Sequence, residues 1–79
     1  MAGEVRLSDA RVGAEYVVVA VGGPPHVRSR IMSLGLTPGV RLKVVGSSPL
    51  GDPMHLEVRG SNVSIRKAEA SVVTVREVG

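Results

Sequence analysis

"RIMSLGLTPGVRLKVV", residues 30 to 45, passes from helix to strand through two turns, and this passage decides the fold. Upstream of it, Val27, Ile31 and Leu34 recur at spacings of four and three, the period of one helix face. Gly35 stops that pattern. Glycine tolerates the left-handed conformation that closes many helices, so Gly35 is expected at C′ of a Schellman cap, with Leu36 turned back towards Ile31. Thr37-Pro38-Gly39-Val40 then has proline and glycine at the central positions of a type II turn. Val40, Leu42 and Val44 alternate with Arg41 and Lys43, which is the period of a half-buried strand.

Outward from this stretch, the sequence predicts strands over 15–21, 40–46, 53–59, 62–66 and 72–77 and one helix over 25–34. The first strand, with Val17, Val19 and Val21 on its inner face and Tyr16 and Val18 on the other, ends at Gly22-Gly23-Pro24-Pro25. Proline is well tolerated at a first helical position. "GSSPLGDP" reads as a loop. Met54, Leu56 and Val58 alternate with His55, Glu57 and Arg59, and Gly60-Ser61 predicts a tight hairpin into a strand carrying Val63 and Ile65. "KAEA" is long enough for one helical turn. In the N-terminal segment "LSDARVG", Ser8 or Asp9 is placed to cap a single turn.

At 79 residues the chain has room for a single domain, residues 1–79, with one core. Apolar content is 43% and almost wholly aliphatic, with Tyr16 the sole aromatic residue. Five short antiparallel strands left flat would expose two edges and an apolar face, so curling into a barrel is favoured. A helix between strands one and two, and a single turn between strands four and five, give the layout of a small mainly β, five-stranded SH3-like barrel. Val27, Ile31 and Leu34 would cap one open end. The expected core is Val17, Val19, Ile31, Leu34, Leu42, Val44, Leu56, Val58, Ile65 and Val75.

The motifs in their order, "RSRIMSLGLTPGVRLKVV", "SPLGDPMHLEVRG" and "VSIRKAEASVVTV", closely resemble the FeoA family of small ferrous iron transport accessory proteins. The resemblance covers roughly Leu7 to Val75. It implies a cytoplasmic, free-standing SH3-like domain that works with FeoB, a membrane iron transporter bearing a GTPase domain, and it implies no catalytic residues. Related domains are fused to iron-dependent repressors, which carry a DNA-binding helical region that this chain lacks.

Chemistry in the sequence is sparse. No G-x-S-x-G, H-E-x-x-H, P-loop or paired-carboxylate motif is present, so no enzyme is expected and no catalytic residue is assigned. Zero cysteines exclude thiolate sites and disulfides. His26, His55, Asp52, Met32 and Met54 are the available metal ligands, but no spacing gathers them, and neither a metal site nor a cofactor is assigned. The net charge of +3 leaves a nucleic-acid-binding barrel as an alternative reading, and the resemblance to repressor-fused domains adds an iron-responsive regulatory domain. Single-strand binders need aromatic stacking platforms, and one tyrosine is a poor supply. No nucleic-acid partner and no membrane insertion are therefore expected, and the protein should be a monomer or weak homodimer. Candidate partner-binding residues are Leu50, at the tip of the proline-stiffened loop, and Arg28 and Arg30, beside the apolar helix stripe. Leu50 either folds back onto the barrel or stays exposed as an anchor.

Overall fold

The computed structural model describes residues 3–78. Six strands, β1 (Glu4–Arg6), β2 (Glu15–Val21), β3 (Arg41–Ser47), β4 (Met54–Val58), β5 (Ser61–Ile65) and β6 (Val73–Glu77), are joined by a 3-10 turn (Leu7–Asp9) and two helices, α1 (Pro25–Ser33) and α2 (Lys67–Ala70). They form one sheet in the order β1-β6-β2-β3-β4-β5, with every pairing antiparallel. Register shifts in β2, between Val18 and Ala20, and in β3, between Val44 and Gly46, mark β-bulges, which bend a sheet and increase its twist. The inward side chains of β2, β3, β4, β5 and β6 converge on a single apolar core. The fold class is the expected one, mainly β and SH3-like, with six strands instead of five.

The helix-to-strand passage has its two turns where the sequence predicts them, though of the two Schellman bonds only that from Gly35 is made. Gly35 has φ +95°, and its N–H donates to the Met32 carbonyl at 3.0 Å. Leu36 follows it into the core, with no exposed surface, beside Ile31 in the same buried cluster. Gly39 has φ +92°, and the Val40 N–H closes the turn on the Thr37 carbonyl at 3.1 Å. The turn is also anchored to the neighbouring strand. Gly39 donates to the Val18 carbonyl at 2.8 Å, and Val18 donates to the Val40 carbonyl at 2.9 Å.

Five expectations need correction. In β2 the faces are inverted: Tyr16 and Val18 are buried, while Val17 and Val19 are only half-buried. Glu15, exposed at the start of the strand, marks this parity, and pairing agrees with it, with Tyr16 opposite Leu42 and Val18 opposite Val75. Tyr16 is 2% exposed. Its hydroxyl accepts the Arg11 backbone N–H at 2.9 Å, and that bond offsets the cost of burying it.

Leu34 is the C-cap residue of α1 and only half-buried, and Val27 is likewise partly covered, so Ile31 alone carries the helix into the core. The hairpin turn between β4 and β5 is Arg59-Gly60, at φ +52° and +81°, with Val58 opposite Ser61. Positive φ at both central residues makes it type I′, the turn whose twist suits a two-residue hairpin. Ser8 and Asp9 lie inside the 3-10 turn, whose N-cap residue is Arg6, and no side chain caps it. β1 was not expected, because Glu-Val-Arg has no apolar period and is exposed throughout. It exists through pairing with β6, Glu4 opposite Arg76 and Val5 opposite Val75.

Candidate partner-binding surface

The loop between β3 and β4 is built from two reversals. Pro49 fixes φ near the value that the second position of a turn needs, and the Gly51 N–H returns to the Ser48 carbonyl at 2.7 Å. The Ser48 N–H in turn reaches the Pro53 carbonyl at 3.0 Å, closing the base of the loop. A third bond comes from outside: Asp52 Oδ1 accepts the Lys67 backbone N–H at 3.1 Å. On this framework Leu50 is 97% exposed. Of the two positions left open by the sequence, the structure has the exposed one.

Beside the loop is a shallow groove of about 110 Å³, whose walls include Ala10, Val12, Gly46, Gly51, Met54 and Lys67. Val12 is 63% exposed. An apolar rim, Val12, thus stands at a groove whose other wall is Gly51, the residue after Leu50.

The two arginines have different fates. Both are exposed on α1. Arg30 Nε donates to Glu69 Oε2 in an ion pair with α2. The other carboxylate oxygen, Oε1, accepts the Arg66 backbone N–H at 3.1 Å, so Glu69 acts at N3 of α2 as the acidic half of a capping box. Arg30 holds the Glu69 carboxyl below the ordinary glutamate range. Arg28 has no ion pair among the described residues. Four residues of α2 therefore tie the loop, through Lys67 and Asp52, to the helix, through Glu69 and Arg30. Leu50 and Arg30 are joined by this bridge and Arg28 is not.

The histidines are apart in structure as in sequence. His26 is exposed at the start of α1. The His55 ring faces the hydroxyls of Ser64 at 3.0 Å and Ser48 at 3.4 Å. Among the described residues no three His, Cys, Asp or Glu side chains gather as a metal site, and apart from the Tyr16 hydroxyl no polar or charged side-chain group is buried. No described helix is long and apolar enough to cross a membrane.

Glu69 and Lys67 were not singled out from the sequence, although Arg-Lys-Ala-Glu contains the signal: an acid three residues after the residue preceding a short helix. Asp52 reads from the sequence only as an available metal ligand. Its bond to a backbone N–H fifteen residues away leaves no local trace in the sequence.

The FeoA domain model matches residues 5–77. The chain belongs to the FeoA family. It is 35% identical over 71 residues to a Fe(2+) transport protein A/Fe(2+) transporter FeoB fusion protein of Porphyromonas gingivalis; that match covers 90% of this chain and 8% of the fusion protein. This FeoA chain thus spans under a tenth of that relative's length. The crystal structure of an iron uptake regulatory protein, FeoA, superposes with a TM-score of 0.88 at 34% identity, covering 96% of this chain and all of that one. A manganese-dependent transcriptional repressor superposes with a TM-score of 0.86 at 16% identity, covering 99% of this chain and 44% of the repressor. That second likeness shows the fold alone.

Proposed function

We propose that this FeoA domain is a non-enzymatic accessory module of ferrous iron uptake, docking on the cytoplasmic side of a FeoB-type transporter through the Leu50 loop. The observation that carries this reading is a leucine 97% exposed at the tip of a loop fixed by three hydrogen bonds. Burying such a side chain at an interface gains about 1.5–3 kcal/mol, and a loop already ordered loses little entropy on binding. The Porphyromonas gingivalis fusion supports the choice of partner, since one polypeptide there joins the two components. Arg28 steers approach to acidic groups of the transporter, whereas Arg30 acts through Glu69 by holding the helix against α2.

A role without catalysis is supported by the absence of buried charged side chains among the described residues, because catalytic groups are tuned by desolvation and close charge partners. Burial of Tyr16, the only aromatic ring, leaves nothing for bases to stack on and weighs against single-strand nucleic-acid binding. The module works as one domain, as a monomer or weak homodimer.

The test is titration of the protein against the cytoplasmic domains of its transporter, with and without guanine nucleotide. Leu50→Asp is expected to weaken binding by about 1 kcal/mol or more with an unchanged melting temperature. Arg28→Glu should slow association and flatten its salt dependence. Undiminished binding by Leu50→Asp would move the interface off this loop.

A further inference from the structure

The outer face of the sheet carries a line of arginines that the Leu50 loop does not use. Val17 on β2 pairs with Arg76 of β6 on one side and with Arg41 of β3 on the other. The Leu42–Val58 pair sets Arg41 beside Arg59, and these two arginines line one cleft of about 170 Å³ together with Glu15, Lys43 and Glu57. Arg76, Arg41 and Arg59 are exposed around a half-buried Val17. Neighbouring strands lie about 4.8 Å apart, so the line runs across the strands for about three such steps. Like charges set side by side on a sheet destabilise it. Yet no carboxylate forms an ion pair with any of the three among the described residues. Glu4, opposite Arg76 on β1, is the only acid in the row.

We propose that this row, Arg76–Val17–Arg41–Arg59, is a second docking surface, and that its partner is an extended acidic polypeptide segment lying across the strands. The adjoining row selects this partner over other polyanions. There Glu15, Lys43 and Glu57 alternate in sign, with Asn62 beyond them on β5, at about two strand residues, or about 7 Å, from the arginine row. A nucleic acid or an anionic bilayer presents negative charge over the whole face and would meet Glu15 and Glu57. A peptide can confine its carboxylates to one line. In an extended peptide, side chains on one face recur about every 7 Å, within the reach of arginines spaced one and two strands apart. Val17 offers an apolar contact in the middle of the line. Because Arg59 and Leu50 lie on loops at opposite ends of β4, this surface does not depend on the Leu50 reading.

Exposed ion pairs are individually weak, so the row sets register and association rate more than affinity. The experiment is fluorescence anisotropy of a labelled decapeptide of alternating glutamate and serine, at low and at physiological salt. Arg41→Glu is expected to weaken binding about fivefold at low salt, whereas Arg66→Glu, an exposed site outside both surfaces with the same change in net charge, should alter it less than about twofold. Amide shifts in the unmodified protein should cluster at residues 17, 41, 43, 59 and 76 on peptide addition. Equal losses in the two variants, or shifts spread over α1, would reduce the effect to net charge and overturn the proposal. Short single-stranded RNA and phosphatidylserine-containing vesicles form the comparison arms. Either of them binding as tightly as the peptide would overturn the choice of partner.

Discussion

Two leucines, each beside a glycine with positive φ, have opposite environments. Leu36 follows Gly35 and is completely buried, while Leu50 precedes Gly51 and is 97% exposed. Turn chemistry alone does not separate them. The difference lies in what is beneath each turn. The Gly35 reversal lies over the core where Ile31, Leu42 and Val58 meet, so the chain folds its next apolar residue inward. The Ser48–Pro53 loop is held away from the core by Ser48, Asp52 and Lys67. Its leucine is left in solvent, outside the groove that Gly51 helps to line.

The largest effect should come from removing the buried member of this pair. Leu36→Ala is expected to lose about 2–5 kcal/mol of folding stability, measured by chemical denaturation, while Leu50→Ala shifts it by less than about 0.5 kcal/mol. Comparable losses at both sites would erase the distinction between plug and anchor.

A smaller effect is expected at the turn itself. Gly35→Ala places a Cβ at φ +95°, where its closest neighbour, Val58 Cγ1, is 3.8 Å away and does not clash. The cost is therefore one of backbone conformation, about 1–2 kcal/mol. A loss far above this would mean that the added methyl group displaces Val58.

The smallest effect belongs to the bridge that holds the exposed member in place. Arg30 lowers the Glu69 carboxyl below its ordinary value of 4.5, so this pair contributes stability above pH 4.5 that is lost as the pH falls through the depressed value. Arg30 is 61% exposed, and solvent screening limits the contribution to less than about 1 kcal/mol. Glu69→Gln should remove that part of the acid dependence in thermal melts between pH 7 and about pH 3. An unchanged pH profile would show that the pair does not hold α1 to α2 in solution.

The parts of this fold governed by local chemistry could be read from the sequence. Gly35, Pro38 and Gly39 each limit the backbone to few conformations, and the alternations of β3 and β4 carry their own parity in Arg41, Lys43 and Glu57. β2 has a single such marker, Glu15 at its first residue, which is exposed on the face of Val17 and Val19; the six residues after it carry none. β1 depends wholly on β6. The hairpin turn moved by one residue because an arginine, Arg59, takes up a positive φ that the sequence assigned to glycine alone. At the candidate surface, the sequence pointed to Leu50 but not to its exposure, since cover for a loop tip is a tertiary property. It placed Arg28 and Arg30 together, and Glu69, 39 residues further on, separates them by engaging only one.

The pairing of β1 with β6 fixes where this domain can be attached to another polypeptide. Glu4 faces Arg76 across that ladder, at the Cα separation of about 4.5–5.5 Å typical of antiparallel neighbours. A chain joined before β1 and a chain joined after β6 therefore depart from one place on the sheet's edge. Gene fusion in either order, or insertion into a surface loop of a larger protein, would suspend the domain from the same pivot. The direction in which it faces its neighbour would be conserved through rearrangements of gene order.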